Sequence, residues 1–216
     1  MSDAADIDYF ALGLEDFDES ARLLEDDFFP REPLSIGTHL VTSASTGKIG
    51  RKLRECLASG VSFGARDVKT RSLVAVRLSY TATKEHSADE DPVDEEKSEY
   101  EIKVSGLIEE VASKVDVFQD HDVNKVLYMY MLCVRRNYGG RGIGKKLVRM
   151  TMERGKDLGC QLAFTTITNV LSGRIFAGLG YETRYTLDMS TPEGDRGMDL
   201  AAMDGNRTVR IMTIRL

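Results

Sequence analysis

Cys133-Val134-Arg135-Arg136-Asn137-Tyr138-Gly139-Gly140-Arg141-Gly142-Ile143-Gly144-Lys145-Lys146-Leu147 decides the fold of this 216-residue chain. An apolar strand pattern over 126–134 runs into a turn holding Gly139, Gly140, Gly142 and Gly144, and a helical pattern starts near Gly142. Glycine lets a backbone approach a ligand closely and take φ > 0. The first N–H groups of the following helix are unpaired and sit at the positive end of its dipole. The stretch therefore reads as a phosphate cradle made mainly of main chain, with Arg141 and Lys145 adding charge. A dinucleotide fingerprint would need its third glycine at Leu147. A P-loop would need a Ser or Thr, to ligate magnesium, where Lys146 stands.

Working outward, 161–168 reads as a strand and leads into a second patch, Asn169-Val170-Leu171-Ser172-Gly173-Arg174-Ile175-Phe176-Ala177-Gly178-Leu179-Gly180-Tyr181. Together the two patches resemble motifs A and B of the GNAT superfamily of acyl-CoA N-acyltransferases. Motif A is Gln/Arg-x-x-Gly-x-Gly/Ala; Gly142 and Gly144 are its small residues, and Gly139 replaces the leading Gln or Arg. Motif B is Asn-x-x-Ala/Ser-x-x-x-Tyr/Phe-x-x-x-Gly-Phe/Tyr, with every spacing kept. The resemblance implies an α/β (α+β) GNAT fold: a mixed, mostly antiparallel sheet of about seven strands, with helices on both faces. It also implies that the strand entering the glycine turn splays from its neighbour to open a cofactor wedge.

Composition bounds the rest. With 42% hydrophobic residues and no long apolar run, the chain is expected to form one soluble domain over 1–216, without a membrane span. The start, 1–8, is acidic and unlike a signal peptide. Cys56, Cys133 and Cys160 are odd in number and scattered, which suits reduced core thiols of a cytoplasmic protein. Three histidines and no Cys/His cluster argue against a metal site. The net charge of -6 disfavours nucleic acid and suits a cationic partner such as a small amine. A monomer is expected, with a dimer left open.

In chain order, the pattern predicts a strand over 7–14 and a helix from 17 to 29, opened by a capping box of Asp16 and Glu19 and stopped by Pro30. Between Pro30 and Pro33 the chain should be extended or turned. A helix over 45–57 and a hairpin of 61–66 with 72–80 follow. Acids dominate 85–101, as a solvated loop or an acidic fence that steers amines. Val104, Leu107, Ile108, Val111 and Val115 mark a third helix; a fourth runs from Gly142 to Gly159, and a fifth over 170–178. Strands over 182–189 and 208–216 flank a polar connection, 190–207.

The family resemblance implies acetyl transfer from acetyl-CoA to an amine. Such chemistry must present a neutral amine, polarise a thioester carbonyl and release a thiolate. In the superfamily, a backbone N–H at the bulged end of the fourth strand polarises the carbonyl. Here that implies Leu132, Cys133 or Val134, with Cys133 lending main chain rather than thiol. The pyrophosphate would rest on Gly139, Gly140, Arg141, Gly142, Ile143, Gly144 and Lys145, with Asn169 and Phe176 also toward the cofactor.

Arg31-Glu32-Pro33-Leu34 resembles the Glu-Pro-Leu signature of the insect arylalkylamine N-acetyltransferase-like branch, in which that glutamate is the proposed general base. Without the resemblance, a loop Glu beside an Arg is a solvated charge. Pro33 would fix its backbone and help line the acceptor site. Phe176 stands where some members carry a Tyr acid, leaving Ser172, a water or unassisted departure of the thiolate. Ser172 fits equally as a small packing residue. Tyr128 and Tyr130, on one face of the strand opposite Met129 and Met131, suit an aromatic wall for dopamine, tyramine or serotonin, and core packing explains them too. Agmatine or a polyamine is an equally admissible acceptor. A protein or peptide N-acetyltransferase and a non-catalytic acyl-CoA-binding regulator remain the alternatives.

Overall fold

The computed structural model describes residues 6–85, 97–120 and 122–216. Residues 1–5 of the acidic start and 86–96 of the acidic run lie outside the described residues, and with them the reading of that run as loop or fence. Seven strands form one sheet: β1 (Ile7–Ala11), β2 (Phe63–Asp67), β3 (Leu73–Thr83), β4 (Lys125–Val134), β5 (Leu162–Ile167), β6 (Glu182–Asp188) and β7 (Thr208–Arg215). Their order is β1-β2-β3-β4-β5-β7-β6, antiparallel throughout except for the parallel pair β4–β5. A parallel pair needs a crossover, and helix α5 (Ile143–Asp157) supplies it.

The apolar stripes read from the sequence decide which face each helix covers. α1 (Phe17–Leu23), α2 (Pro33–Thr38), α3 (Gly47–Ala58) and α4 (Gly106–Ala112) enclose a core with Leu24, Leu34, Leu53, Val76, Leu78 and Cys133. α5 and α6 (Val170–Ala177) cover the other face, packing Leu147, Val148 and Phe176 against Ala75, Leu127 and Met129. Among the described residues no helix is long and apolar enough to cross a membrane.

Several local expectations need correction. β1 stops at Ala11, and Leu14–Asp16 is a 3-10 turn. The expected capping box does not form: Asp16 accepts the Gly13 N–H, while Glu19 accepts the Leu73 N–H and pairs with Arg66. Pro30 does not stop the helical path, because α1 continues through a π turn (Leu24–Phe28) into a 3-10 turn (Phe29–Arg31). Pro30 occupies that last turn's opening, where an N–H is dispensable. Only Glu32 is extended (φ -76, ψ 122), and Pro33 begins α2. The acidic run also ends earlier than expected: Glu101–Ser105 is a π turn leading into α4, and Tyr100 beside it is buried. The connection 190–207 is not wholly polar, since Met203 within it and Met189 beside it join the core on the α2 side.

The wedge follows from register. β4 and β5 pair only from Val126↔Leu162 to Tyr128↔Phe164. Beyond this, β4 stays with β3 as far as Val134, and β5 stays with β7 as far as Ile167. Past the last pair, the links across are Thr165 Oγ1 donating to the Met129 carbonyl at 2.9 Å and the Tyr128 hydroxyl with Thr166 Oγ1 at 3.4 Å. The strand irregularity lies at Tyr130, not at 132–134: Leu78 faces Met131, Ser79 faces Met129, and Tyr130 has no partner. One extra residue reverses the alternation of side chains. Met131 and Cys133 thus join Tyr130 on the α1–α4 side, while Met129 and Leu132 pack toward α5 and α6. Met131 is therefore on the same side as the tyrosines rather than opposite them.

Candidate active site

Two surfaces meet at the wedge. On the α5 side, Gly140 (φ 75) and Gly142 (φ 78) take the left-handed conformation that favours glycine. Gly142 caps α5, whose first helical bond runs from Lys146 N–H to the Gly142 carbonyl at 3.0 Å. The N–H groups of Ile143, Gly144 and Lys145 therefore have no partner within the helix. Gly144 lacks the side chain that would otherwise pack against Leu132, Val134 and Ile175. Arg141 is exposed, its guanidinium 4.9 Å from the Tyr138 ring centre, and Lys145 is half-buried. Gly139 is exposed at the loop's start.

Alternation along β4 assigns its main-chain groups. Arg135 N–H donates to the Val74 carbonyl at 2.8 Å, so Cys133 and Met131 exchange their bonds with β3. The N–H groups of Leu132 and Val134 face the wedge instead. Of the three residues expected to offer the N–H, Cys133 is thus excluded by its ladder bonds. Its thiol is buried and pushed up to about 12, so it is no nucleophile.

On the other side stands Glu32. It caps α2: Oε2 accepts the Ser35 N–H at 2.7 Å and the Ser35 hydroxyl at 2.9 Å. With that hydroxyl donating to Glu32, Ser35 Oγ accepts from the Tyr100 hydroxyl, 2.9 Å away. Burial first, then the charge of Glu32, keeps the Tyr100 phenol protonated. Glu32 is 6% exposed, and its other oxygen, Oε1, is buried without a partner among the described residues. Neither Ser35 nor Tyr100 was picked out from the sequence. The signal for Tyr100 was its place one turn before Val104 in the stripe Val104–Leu107–Val111.

The chain before Glu32 is tied to the end of β4. Arg31 Nη2 donates to the Val134 carbonyl at 2.9 Å. Asp27 pairs with Arg135 at 3.1 Å and accepts the Arg136 N–H at 3.1 Å. Pro33 and Leu34, next after Glu32, are buried, and Leu34 joins the core that includes Cys133.

On α6, Asn169 Oδ1 caps the Leu171 N–H at 2.8 Å, and Ser172 Oγ donates to the Asn169 carbonyl at 2.9 Å. Phe176 is buried, edge-on to Tyr181 with centroids 4.9 Å apart. Tyr128 and Tyr130 do share a face. Tyr80 stands edge-on to both, and Phe164 stacks on Tyr128 at 4.5 Å. A cavity of about 190 Å³ opens beside them, lined by Tyr80, Phe164, Phe118 and Glu55 among others. Burial raises the phenols of Tyr80, Tyr128 and Tyr130, so all three remain neutral donors.

Residues 77–181 match the model of the acetyltransferase (GNAT) family. The matched residues hold the splayed strands and the glycine-capped helix, so this part of the chain is a GNAT acetyltransferase domain. Its fold is similar to that of arylalkylamine N-acetyltransferase 2 from Aedes aegypti, at 22% identity and TM-score 0.82, over 97% of this chain and 98% of that one. A mosquito arylalkylamine N-acetyltransferase-like 5b gives 17% and 0.81, over 97% and 100%. The Drosophila melanogaster polyamine N-acetyltransferase, which forms N-acetylagmatine, gives 21% and 0.78, over 98% and 100%. At these identities the likeness shows the fold.

Proposed function

We propose that this chain is a single-domain enzyme that transfers an acetyl group from acetyl-CoA to the primary amine of a small molecule, with Glu32 as the general base. The observation that carries the reading is the free Oε1 of a buried Glu32, next to an arginine fixed to the wedge edge of β4. A buried carboxylate oxygen without a donor is costly unless a ligand supplies one. An alkylammonium does so. Glu32 Oε1 accepts its hydrogen bond and then its proton, while the bonds from Ser35 hold Oε2 still.

The neutral amine attacks the thioester carbon, and the Leu132 or Val134 N–H stabilises the charge that develops on the carbonyl oxygen. The Ile143, Gly144 and Lys145 N–H groups and the Arg141 and Lys145 side chains hold the pyrophosphate, and Asn169 approaches the pantetheine arm. No step needs a covalent acetyl-enzyme, since the Cys133 thiol stays protonated. The cluster of Tyr80, Tyr128, Tyr130 and Phe164 favours an arylalkylamine acceptor such as dopamine, tyramine or serotonin. Agmatine or a polyamine is the second class; for these Glu55 on the adjoining cavity would have to exchange its pair with Lys52 Nζ, 2.7 Å away, for the ligand.

Thiol release from acetyl-CoA with arylalkylamines, agmatine, polyamines and a lysine peptide tests the reading. One small-amine class should turn over, and Glu32→Gln should lower kcat about 10²–10⁴-fold. Turnover confined to the peptide would replace the small-molecule reading. CoA binding without turnover of any amine would leave a non-catalytic acyl-CoA-binding protein.

A further inference from the structure

Arg77, in the middle of β3, heads the fully buried side chains by volume, at 1% exposure. Its Nε and Nη2 have no hydrogen-bond partner, and no carboxylate among the described residues pairs with it. The groups that bear on it are Tyr181, Cys56 and Tyr128, all neutral at physiological pH. Burial pulls its pKa down to about 10, so the side chain is still a full cation at neutral pH. A buried, unpaired guanidinium is among the costliest features a fold can carry. An aromatic face alone is a weak partner for it.

Its location gives the cost a purpose. Arg77 faces α5 and α6 by the plain alternation of β3, in which Val76, Leu78 and Tyr80 take the other face, and the bulge at Tyr130 brings Leu132, opposite it, to the same side. The guanidinium reaches past β4 to the Phe176 ring, 5.5 Å from its centre. Met129 is the first β4 residue beyond the last pair with β5, and its sulfur receives the Tyr181 hydroxyl at 3.4 Å. Phe176 stacks edge-on to that same Tyr181. Arg77 thus approaches the closed end of the wedge from the α6 side. Of the hydroxyls nearby, Tyr181 is engaged with Met129 and Ser172 with the Asn169 carbonyl, Ser79 Oγ on β3 has no partner among the described residues, and Phe176 has none to offer. Arg77 brings a full positive charge and two donors, Nε and Nη2, without partners among the described residues.

We propose that Arg77 is a catalytic residue that receives the departing thiolate of CoA, in place of a hydroxyl acid at position 176. This rests on the acetyl-CoA reading above. Glu32 first passes the ammonium's proton on to solvent, and the neutral amine nitrogen then forms its bond to the acetyl carbon as its second proton passes to Glu32. The C–S bond then breaks, and its electron pair stays on sulfur. The sulfur leaves as a thiolate beside the guanidinium and takes its proton from water on release, so Arg77 lends charge and hydrogen bonds and gives up no proton.

The test reads the bound thiol rather than turnover. Thiolate absorbance of the enzyme–CoA complex is titrated against pH for wild type, Arg77→Lys and Arg77→Met, beside free CoA. Affinity for CoA is compared with that for desulfo-CoA at a pH near the free thiol's pKa. In wild type the bound thiol should titrate at least about one unit below the free thiol, as beside an opposite charge. Arg77→Met should return it to the free value and abolish the preference for CoA over desulfo-CoA, with Arg77→Lys between. A wild-type thiol that titrates like free CoA overturns the proposal even if no variant folds. So does a lowered value that survives in Arg77→Met. Failure of wild type to bind CoA at all overturns the acetyl-CoA reading itself and is distinct from either result.

Discussion

Glu32 meets two demands with separate oxygens. Oε2 is a helix cap, accepting the Ser35 N–H and hydroxyl, and Oε1 is left for a ligand. The division lets the two roles be separated by substitution. Gln keeps a carbonyl oxygen for the cap, so Glu32→Gln should hold its Tm while losing kcat. Ala removes both, and Glu32→Ala should lose about 1–2 kcal/mol of stability besides, from the missing cap and the stranded Ser35 hydroxyl. Thermal melts beside kinetics decide it; equal destabilisation by Gln and Ala would make the capping bond a charge effect. From sequence, Glu32 was legible only through the Glu-Pro-Leu resemblance. Its partners were not. Ser35 lay hidden because the two prolines suggested an extended segment, whereas Pro33 is well suited to open a helix.

Among the elements, β4 carries the most function, and its edges differ. Cys133 and Met131 bond to β3, while Leu132 and Val134 face the open wedge. In the free protein the Leu132 and Val134 amides should therefore exchange hydrogen much faster than Cys133. Saturating CoA should slow them at least tenfold, as ligand or closing water takes their donors. Amide exchange resolved by NMR reads this directly, and equal protection of all three in the free protein would contradict the edge assignment. The strand itself was plain in the run of apolar residues over 126–134. The bulge was not, because alternation of Tyr128, Tyr130 and Leu132 reads smoothly until tertiary packing inserts a residue. That one insertion moved the irregularity to Tyr130 and put Met131 beside the tyrosines. It also put Leu132 on the α6 side, opposite Arg77.

A similar tie steadies the glycine loop from outside. Asp67 Oδ1 accepts the Lys69 and Thr70 N–H groups, and Oδ2 accepts the Tyr138 hydroxyl at 2.8 Å. These donors, the Thr70 N–H foremost, hold the Asp67 carboxyl below its usual range. A depressed folded pKa means stability that is whole above the ordinary value of about 4 and lost as pH falls through the folded value. Asp67→Asn should thus lie furthest below wild type in Tm near neutrality, and the gap should narrow as pH falls toward ~3. A gap that stays constant with pH would assign the loss to packing.

At the scale of the molecule, the resemblance carried by the glycine turn and the Asn169–Tyr181 patch was enough to anticipate a mixed sheet, its two covered faces and the splay of β4 from the strand it pairs with, β5. The residues could not show where that pair ends, since Val126–Tyr128 and Met129–Val134 are equally apolar, and only register separates paired from splayed strand. The outcome is a sheet of two halves, β1–β4 and β5–β7, joined by three register pairs and by the side-chain bonds of Thr165 to Met129 and Tyr128 to Thr166. A ligand lying between them touches both and binds the folded state alone. CoA at 100 times its Kd should then add about 2.7 kcal/mol. For a chain of this size that is a rise in Tm of roughly 5–10 °C. The rise should grow with the logarithm of CoA concentration and persist in Glu32→Gln, whose carboxylate lies on the amine side. Differential scanning calorimetry decides it: no rise with CoA would mean that the wedge is not a CoA site, whatever the fold, and a rise lost in Glu32→Gln would place Glu32 with the nucleotide instead of the amine.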